Sequence, residues 1–561
     1  MDHWEKAGAS LANAVDVYLD LCLSLEVNSL KEDMPLQHLV TRIDNAVEFL
    51  HTVLDRRIAQ ARSTLCRTRN RIVSPISCFP EELLMEIFAY VTFTGAVEPA
   101  AIDMESRAIS IYRSLHNLLG VCSTWRNIAL NQGALWSTIP VLESNLPLVC
   151  RRATDLSLQR AKNYDLHLAA SLLYTPRILD YRNLGENTSR FRTINITTTN
   201  HDNITHIMDA FLESGELARL SELSIRVKRD GGLRHQVIAN NGDDDGSDRA
   251  ILYADGQPNS DSFSKVLESL SVFRVSGINL YWGRIAFSSQ LVTLHLQDLN
   301  LGFDLTMVDL LNRALSSAIR LRDLKLISIR SSHSFTIRFS SAMLKSIPKL
   351  SLPNLETLLL DDLCCNTLMI LLGSVISRSH RLTLHLTKEC LKFKKSRSQA
   401  EQASIIDLCS ALEHVSVYML CISSDPEDAP WLSDWEFETL LKSVATAKIL
   451  KMNHWHLSED CCRVLGGANS SLSLLELHLS CAIFWDMHMV AFRGAVLDYS
   501  QSLRRVVLGG RYCTDPEGKT WAAIREDGVI ASWLIENVGS VSVTTEWYKP
   551  PEFEQAKWRL W

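Results

Sequence analysis

The residues best equipped for chemistry are His454, His456, Cys461 and Cys462, in the stretch NHWHLSEDCC (453–462). Two histidines at i and i+2 on a strand share a face, and imidazole with thiolate is a zinc donor set, so a metal is one reading. The cysteines oppose it, because adjacent residues on a helix point about 100° apart. Ser458 followed by Glu459 and Asp460 reads instead as a capped helix start. The stretch is therefore expected to be strand, turn and helix, with no metal. PEGKT (516–520) hints at a phosphate loop, but that motif needs glycine at 513, where Cys513 stands, and Asp515 and Glu517 repel phosphate. A surface turn is expected, and no cofactor. KFKKSR (392–397) is basic enough for a nuclear import signal or a nucleic-acid patch, but the wide spacing of its charges favours a solvated loop. No G-x-S-x-G elbow accompanies the scattered Ser, His and Asp residues. An enzyme is not expected.

What remains is recognition by exposed rows. From about residue 150 the pattern L-x-x-L-x-L recurs. Clear copies are LSELSI (220–225), LSVFRVSGINL (270–280), LVTLHLQDLNL (291–301), LRDLKLISI (321–329), LETLLLDDL (355–363), LEHVSVYML (412–420), LLELHL (474–479) and LRRVVL (503–508). Weaker ones are FRTINI (191–196), HRLTLHL (380–386), AKILKM (447–452) and SVSVTT (540–545). Alternation at the second, fourth and sixth positions predicts short strands with one face in and one out. The outward positions, Thr293, His295, Asp323, Lys325, Thr357, His414, Ser416, Glu476 and His478, are candidates for reading a protein surface.

Helical stretches separate the copies: 203–217, 304–319, 434–447 and 486–500, with Asn203, Asp304, Asp434 and Asp486 at expected N-caps. A unit of strand then helix cannot bury its own apolar strand face, but stacked units can. Residues 150–545 are thus expected to form an α/β solenoid with parallel strands, interrupted by loops at 229–262 and 388–402. Residues 546–561, rich in aromatics, are expected to cap its last repeat.

Upstream, residues 1–73 carry helical stripes, the clearer being Ile43, Val47, Leu50, Leu54, Ile58, Ala61 and Leu65. A short coiled coil and a hairpin packed on its neighbour are both open; Ser74–Pro75 ends the helix. CFPEELLMEIFAYV (78–91) opens with proline and two glutamates, as helices do, yet Leu83, Leu84, Ile87, Phe88 and Val91 exceed one stripe. In residues 115–139, Leu118, Val121, Cys122, Trp125, Ile128 and Ala129 recur at helical spacing, another wide stripe with a large anchor.

The chain has 561 residues, 46% hydrophobic and 22% charged, a normal soluble composition. A net charge of −7 argues against a general nucleic-acid binder. The start, MDHWEKAGAS, has no apolar signal core, and the longest apolar runs, such as LMILLGSVI (368–376), fall short of the ~20 residues a bilayer requires. No membrane association is expected. The 14 cysteines include adjacent pairs and no CxxC, which fits reduced, buried thiols in the cytoplasm or nucleus.

Residues 74–140 resemble an F-box. Pro80, Glu82, Leu83, Leu84, Ile87 and Phe88, then Val121, Cys122, Trp125, Arg126 and Ala129, then Leu135 and Trp136 match its pattern. The resemblance implies a three-helix module that docks a Skp-type adaptor through Pro80, Leu83, Leu84, Ile87, Phe88, Val121, Cys122 and Trp125, with the insert 92–112 looped out. The repeats resemble an irregular leucine-rich-repeat domain, in which the usual turn asparagine is replaced by Ile278, Leu299, Ile329, Leu363 and Leu420. The layout looks like the large fungal F-box families. It implies a substrate-recognition subunit of an SCF-type cullin-RING ubiquitin ligase, linked through the adaptor to cullin and RING subunits and holding a target protein on the repeats. The alternative is a leucine-rich-repeat interaction scaffold with no ligase role.

Overall fold

The structure is a computed structural model that describes residues 2–29, 36–94, 103–142, 147–172, 182–214, 217–228, 251–333, 347–375, 380–395, 400–426, 430–467, 472–513, 515 and 520–555. The chain divides into two compact units, 1–86 and 87–561.

The first unit is helical. α1 spans Asp2–Ser29. α2 (Leu36–Asn45) runs through a π-helical turn, Ala46–His51, into α3 (Thr52–Val73). The Tyr18 hydroxyl lies 3.3 Å from His51 Nε2 and links the two helices. Ser74, extended as a residue before proline must be, closes α3 through its N–H to Asn70 O. The expected stripe is not packed away: Val47 is 59% exposed, and Ile43, Leu50, Ile58 and Leu65 are exposed too. α4 (Glu81–Thr94) starts with two glutamates at its positive end, and Pro80 O accepts its first bond from Leu84 N.

The boundary at 86/87 falls within α4, whose second half opens the second unit; α5 (Met104–Val121), capped by Asp103 on Ser106 N, and α6 (Ser123–Asn131) follow. The periodic run 115–139 is thus two helices broken at Cys122, which is extended and caps α6 by accepting from Trp125 N. The insert expected at 92–112 is shorter: 92–94 complete α4 and 104–112 belong to α5, while 95–102 lie outside the described residues.

Strands follow at every expected repeat. They form one sheet of 16 strands among the described residues. Its successive parallel members are β1 (Thr138–Leu142), β2 (Leu166–Leu172), β3 (Phe191–Thr198), β4 (Glu222–Val227), β5 (Val272–Ser276), β6 (Thr293–Gln297) and β7 (Asp323–Ile327). They continue with β8 (Thr357–Asp361), β9 (Arg381–Leu386), β10 (Val417–Ser423), β11 (Ile449–Asn453), β12 (Glu476–Trp485), β13 (Arg505–Cys513) and β14 (Ser540–Val543). The sheet begins at Thr138, ahead of the expected boundary at 150. Its spatial order follows the chain order without reversal, so each strand is covered by its successor in a solenoid-like α/β stack.

The buried rows explain the leucines. Leu294, Leu324, Leu358 and Leu382 are laterally aligned, as are Leu296, Leu326, Leu360 and Leu384, all nearly free of solvent. Each such side chain contributes about 1.5–3 kcal/mol of burial, available only when a neighbouring repeat supplies the other wall. Helices 304–315, 365–374, 405–412, 434–443, 459–467 and 489–498 pack in succession. Their caps sit one residue from expectation in two cases. Ser433, not Asp434, makes a capping box with Glu436, and Asp304 is already helical. Asn203 lies inside its helix, His201–Ser214, and Asp486 opens a 3-10 turn before Met489.

The turns after the strands are held by backbone hydrogen bonds. The residue after a strand is left-handed in repeat after repeat: Gly277, Asp298, Ser328, Asp362 and His454. The N–H of each continues the ladder, for example Asp298 N to Ile327 O at 3.0 Å and Ser328 N to Asp361 O at 2.8 Å. Of the expected loop 229–262, residues 229–250 lie outside the described set, but Ile251–Leu252 pairs with Asn279–Leu280 and a helix starts at Ser260. Of the insert 388–402, Lys388–Leu391 is a 3-10 turn and Lys392–Phe393 pairs antiparallel with Glu401–Gln402, while residues 396–399 lie outside the described set. No helix among the described residues is long and apolar enough to cross a membrane.

Candidate functional site

Two surfaces carry the expected binding residues, and each is built from local geometry. In the helical module, the Cys122 cap fixes the start of α6, and one turn later Trp125 packs its ring on Phe88 of α4, with centroids 4.8 Å apart. Trp136 is buried and donates from Nε1 to Ala129 O (2.8 Å), with the Arg160 guanidinium 4.4 Å over its ring. The adaptor set divides accordingly. Phe88 is fully buried and Leu84 is 4% exposed, so both are core and cannot meet a partner; this corrects the expectation for these two. Pro80, Leu83 and Val121 are exposed, and Ile87, Cys122 and Trp125 are half-buried.

The other surface is the sheet face opposite the buried leucines. Thr293, Asp323 and Thr357 align across β6, β7 and β8, with both threonine hydroxyls donating to the Asp323 carboxylate. Arg274, His295 and Lys325 form the next row. His478 Nε2 lies 2.9 Å from Glu476 Oε2 on β12. His295 and His478 are buried, not solvated as expected. Burial, reinforced by Lys325 and Arg274, pushes the His295 imidazole down to about 3. His414 and Ser416 are displaced from the row. They are exposed in the turn before β10, because pairing of β9 with β10 skips Tyr418 and puts Met419 and Cys421 in the outward positions.

Residues that sequence reasoning missed lie on this face: Asp361, His385, Cys421 and Lys451, one lateral row across β8 to β11. All four are buried. His385 Nδ1 sits 2.6 Å from Asp361 Oδ1, and its Nε2 2.8 Å from Ser423 Oγ. Their cover comes from the tail 546–561 that was expected to cap the last repeat: residues 546–555 cross this face, and 556–561 lie outside the described residues. Lys451 Nζ pairs with Glu552 Oε1 at 2.9 Å. The outward alternation of L-H-L and L-K-M was a usable signal for the row; its cover was not.

The other chemistry-bearing groups are structural. His454 and His456 are half-buried, and burial, with Lys549 near the first and Arg511 near the second, lowers both below the usual imidazole range. Cationic neighbours disfavour a divalent ion. Cys461 and Cys462 are buried, and burial pushes their thiols up to about 12. Ser458 Oγ accepts from Cys461 N (3.0 Å), the expected cap. Among the described residues no three His, Cys, Asp or Glu side chains gather as a metal site requires. Of PEGKT, residues 516–519 lie outside the described set. In the basic insert Lys392 pairs with Glu389 and Lys395 with Glu401, so these charges are matched locally.

One buried polar knot has catalytic residue types. Asp304 accepts from Ser331 Oγ (2.6 Å) and Asn366 Nδ2 (2.8 Å), and lies 2.9 Å from His333 Nδ1. Asn366 Oδ1 takes Lys394 N, and Ser331 N donates to Thr367 Oγ1. The serine donates to the carboxylate rather than to imidazole, and all five side chains are sealed from solvent. A nucleophile needs the reverse order and access. The knot joins the helices at 304 and 365 to the short strand Arg330–Ser332.

No protein-family model matches the chain. No curated protein matches it. Among solved structures, the crystal structure of a protein from Bacteroides fragilis, a structural genomics target, aligns over 73% of this chain and 84% of its own, at 11% identity and a TM-score of 0.26.

Proposed function

We propose that the chain is the substrate-recognition subunit of an SCF-type cullin-RING ubiquitin ligase. Its F-box-like helices dock a Skp-type adaptor, which brings the cullin and RING subunits, and its leucine-rich-repeat-like sheet holds a target protein. The chain performs no bond chemistry; holding the target beside a charged conjugating enzyme raises effective concentration. The observation that supports this most is Trp125. Set on Phe88 one turn after the Cys122 cap, it is half-buried while Val121 stands 56% exposed. A rigid aromatic beside an open aliphatic suits the centre of an interface. The sheet, with polar side chains in rows on a fixed scaffold, supports the target-binding half.

The test is co-expression with a Skp-type adaptor. Val121→Asp, Trp125→Ala and, separately, Leu83→Asp are expected to lose co-purification at least tenfold while the chain stays folded. Leu84 and Phe88 are unsuitable probes, since changing them disrupts the core. Wild-type recovery by all three variants, or none by wild type, leaves the second reading: an interaction scaffold in which these helices serve the fold alone. Burial of Leu84 and Phe88 is the observation that favours that alternative.

A further inference from the structure

After β14 the chain turns back over the sheet. Thr544 N donates to Leu508 O (2.9 Å), and the crossing passes over Gly509, where a Cβ would stand 2.2 Å from Thr544 Oγ1. From there residues 546–555 form a strap that meets successively earlier strands. Tyr548 O accepts from Cys481 Sγ on β12, and Glu552 pairs with Lys451 on β11. Phe553 stands edge-on to His385 on β9 (5.0 Å, 83°), and Gln555 Oε1 accepts from Lys325 Nζ on β7 at 2.6 Å. The strap adds no strand to the sheet. Its turns close on themselves, Tyr548 N to Thr545 O and Phe553 N to Pro550 O. Three side chains of the strap, the Glu552 carboxylate, the Phe553 ring and the Gln555 amide, meet Lys451, His385 and Lys325 of the sheet.

Those partners describe a ligand. Lys451 is 5% exposed, and an ammonium is buried that far only with a counter-charge in reach. Two strands away on the same row, His385 hydrogen-bonds Ser423 through Nε2, has Asp361 Oδ1 2.6 Å from Nδ1, and offers its ring to an aromatic side chain. Arg274 and Lys325 extend the positive line on the adjoining row. A carboxylate followed directly by an aromatic residue fills this set, as Glu552–Phe553 does.

We propose that the sheet face opposite the helices is a groove for an acidic peptide segment of a partner protein, bearing Glu or Asp followed by an aromatic residue. Residues 546–555 are a built-in stand-in that holds the groove until displaced. This deepens the target-binding half of the function proposed above and rests on it. A tethered segment has an effective concentration of order 1 mM, so a free peptide with a ~10 μM intrinsic Kd is weakened roughly 100-fold by the strap.

The experiment titrates a fluorescein-labelled peptide, EWYKPPEFEQ, against the full chain by anisotropy. The full-length double variant Glu552→Gln/Phe553→Ala is expected to bind it roughly 100-fold more tightly than wild type. Adding Lys451→Glu to that variant is expected to abolish binding and to restore it for the peptide carrying Lys in place of the glutamate before Phe. Hydrogen exchange of β7 to β11, measured on each variant, reports folding. Equal binding by wild type and double variant with unchanged exchange overturns the proposal. So does accelerated exchange across those strands, which makes the strap a fixed part of the core. Adaptor co-purification is read on the same samples. Its loss with peptide displacement intact rejects the ligase reading and leaves the groove; the converse rejects the groove alone.

Discussion

Replacing Asp304 with alanine tests whether the buried knot holds the middle of the stack. The carboxylate receives Ser331 Oγ and Asn366 Nδ2 and sits against His333 Nδ1, at 2.6, 2.8 and 2.9 Å. Ser331 and His333 are 1% and 2% exposed, and Asn366 is 0% exposed, so bulk water does not replace the lost acceptor. Orphaning a buried donor costs about 1–3 kcal/mol, and breaking a buried charged cluster about 3–5 kcal/mol in all. Asp304→Ala is therefore expected to lower the local opening free energy by about 3–5 kcal/mol. Asp304→Asn keeps an acceptor for Ser331 and Asn366, and His333 can change tautomer to meet the amide, so it is expected to lose only about 1–2 kcal/mol. A stacked array need not unfold as one unit, so the assay is native-state hydrogen exchange on β7, β8 and helix 365–374 rather than a global melt. A loss below about 1 kcal/mol in the alanine variant, or equal losses in both, would refute the reasoning.

Three further outcomes follow from other sites. His295 is neutral in the fold down to about 3, while its unfolded form takes a proton below about 6.5, so stability is full above that value and falls as pH drops toward 3. At pH 5 the deficit is about 2 kcal/mol, at 1.36 kcal/mol per pH unit. His295→Gln is expected to flatten the pH dependence of exchange in β6 and β7, and an unchanged slope between pH 7.5 and 5 would contradict it. Gly510 has φ +139°, and a Cβ there would lie 2.1 Å from Ala482 O, so Gly510→Ala is expected to cost at least about 2 kcal/mol, read as loosened exchange in β12 and β13. Relieving a left-handed turn acts oppositely: Asp298→Gly, at φ +53°, is expected to hold or slightly raise stability, and a loss above about 1 kcal/mol would show that the Asp298 side chain matters more than its backbone.

The strands were legible because every L-x-x-L-x-L copy supplies a period-two face, and that face is what stacking buries. β2 escaped because LHLAASL has no leading L-x-x and is filled with small residues, so alternation is blurred though nearly all of it is buried. His414 and Ser416 were misplaced because periodicity does not reveal an irregular pairing, and the one at Tyr418 resets the phase. The break at Cys122 was hidden by continuous helical spacing, since a sulfur cap is a weak cue. The left-handed turns carry glycine at position 277 but aspartate, serine or histidine at 298, 328, 362 and 454, so composition did not mark them. The burial of Phe88 and Leu84 depends on how the helices pack, which a surplus of apolar residues does not determine. The strap is the clearest case: Lys325 and Gln555 are 230 residues apart, and no local pattern links them. Its aromatic content was visible, its destination was not.

The order of the strap in the chain also has a consequence for biosynthesis. Residues 546–555 follow every strand they cross, so a ribosome delivers β7, β9, β11 and β12 before the segment that shields them exists. The nascent protein passes through an interval in which Lys451 has been made and Glu552 has not. Until residues 546–555 are made, the Lys451 ammonium has no Glu552 carboxylate to pair with, so its burial waits for that segment.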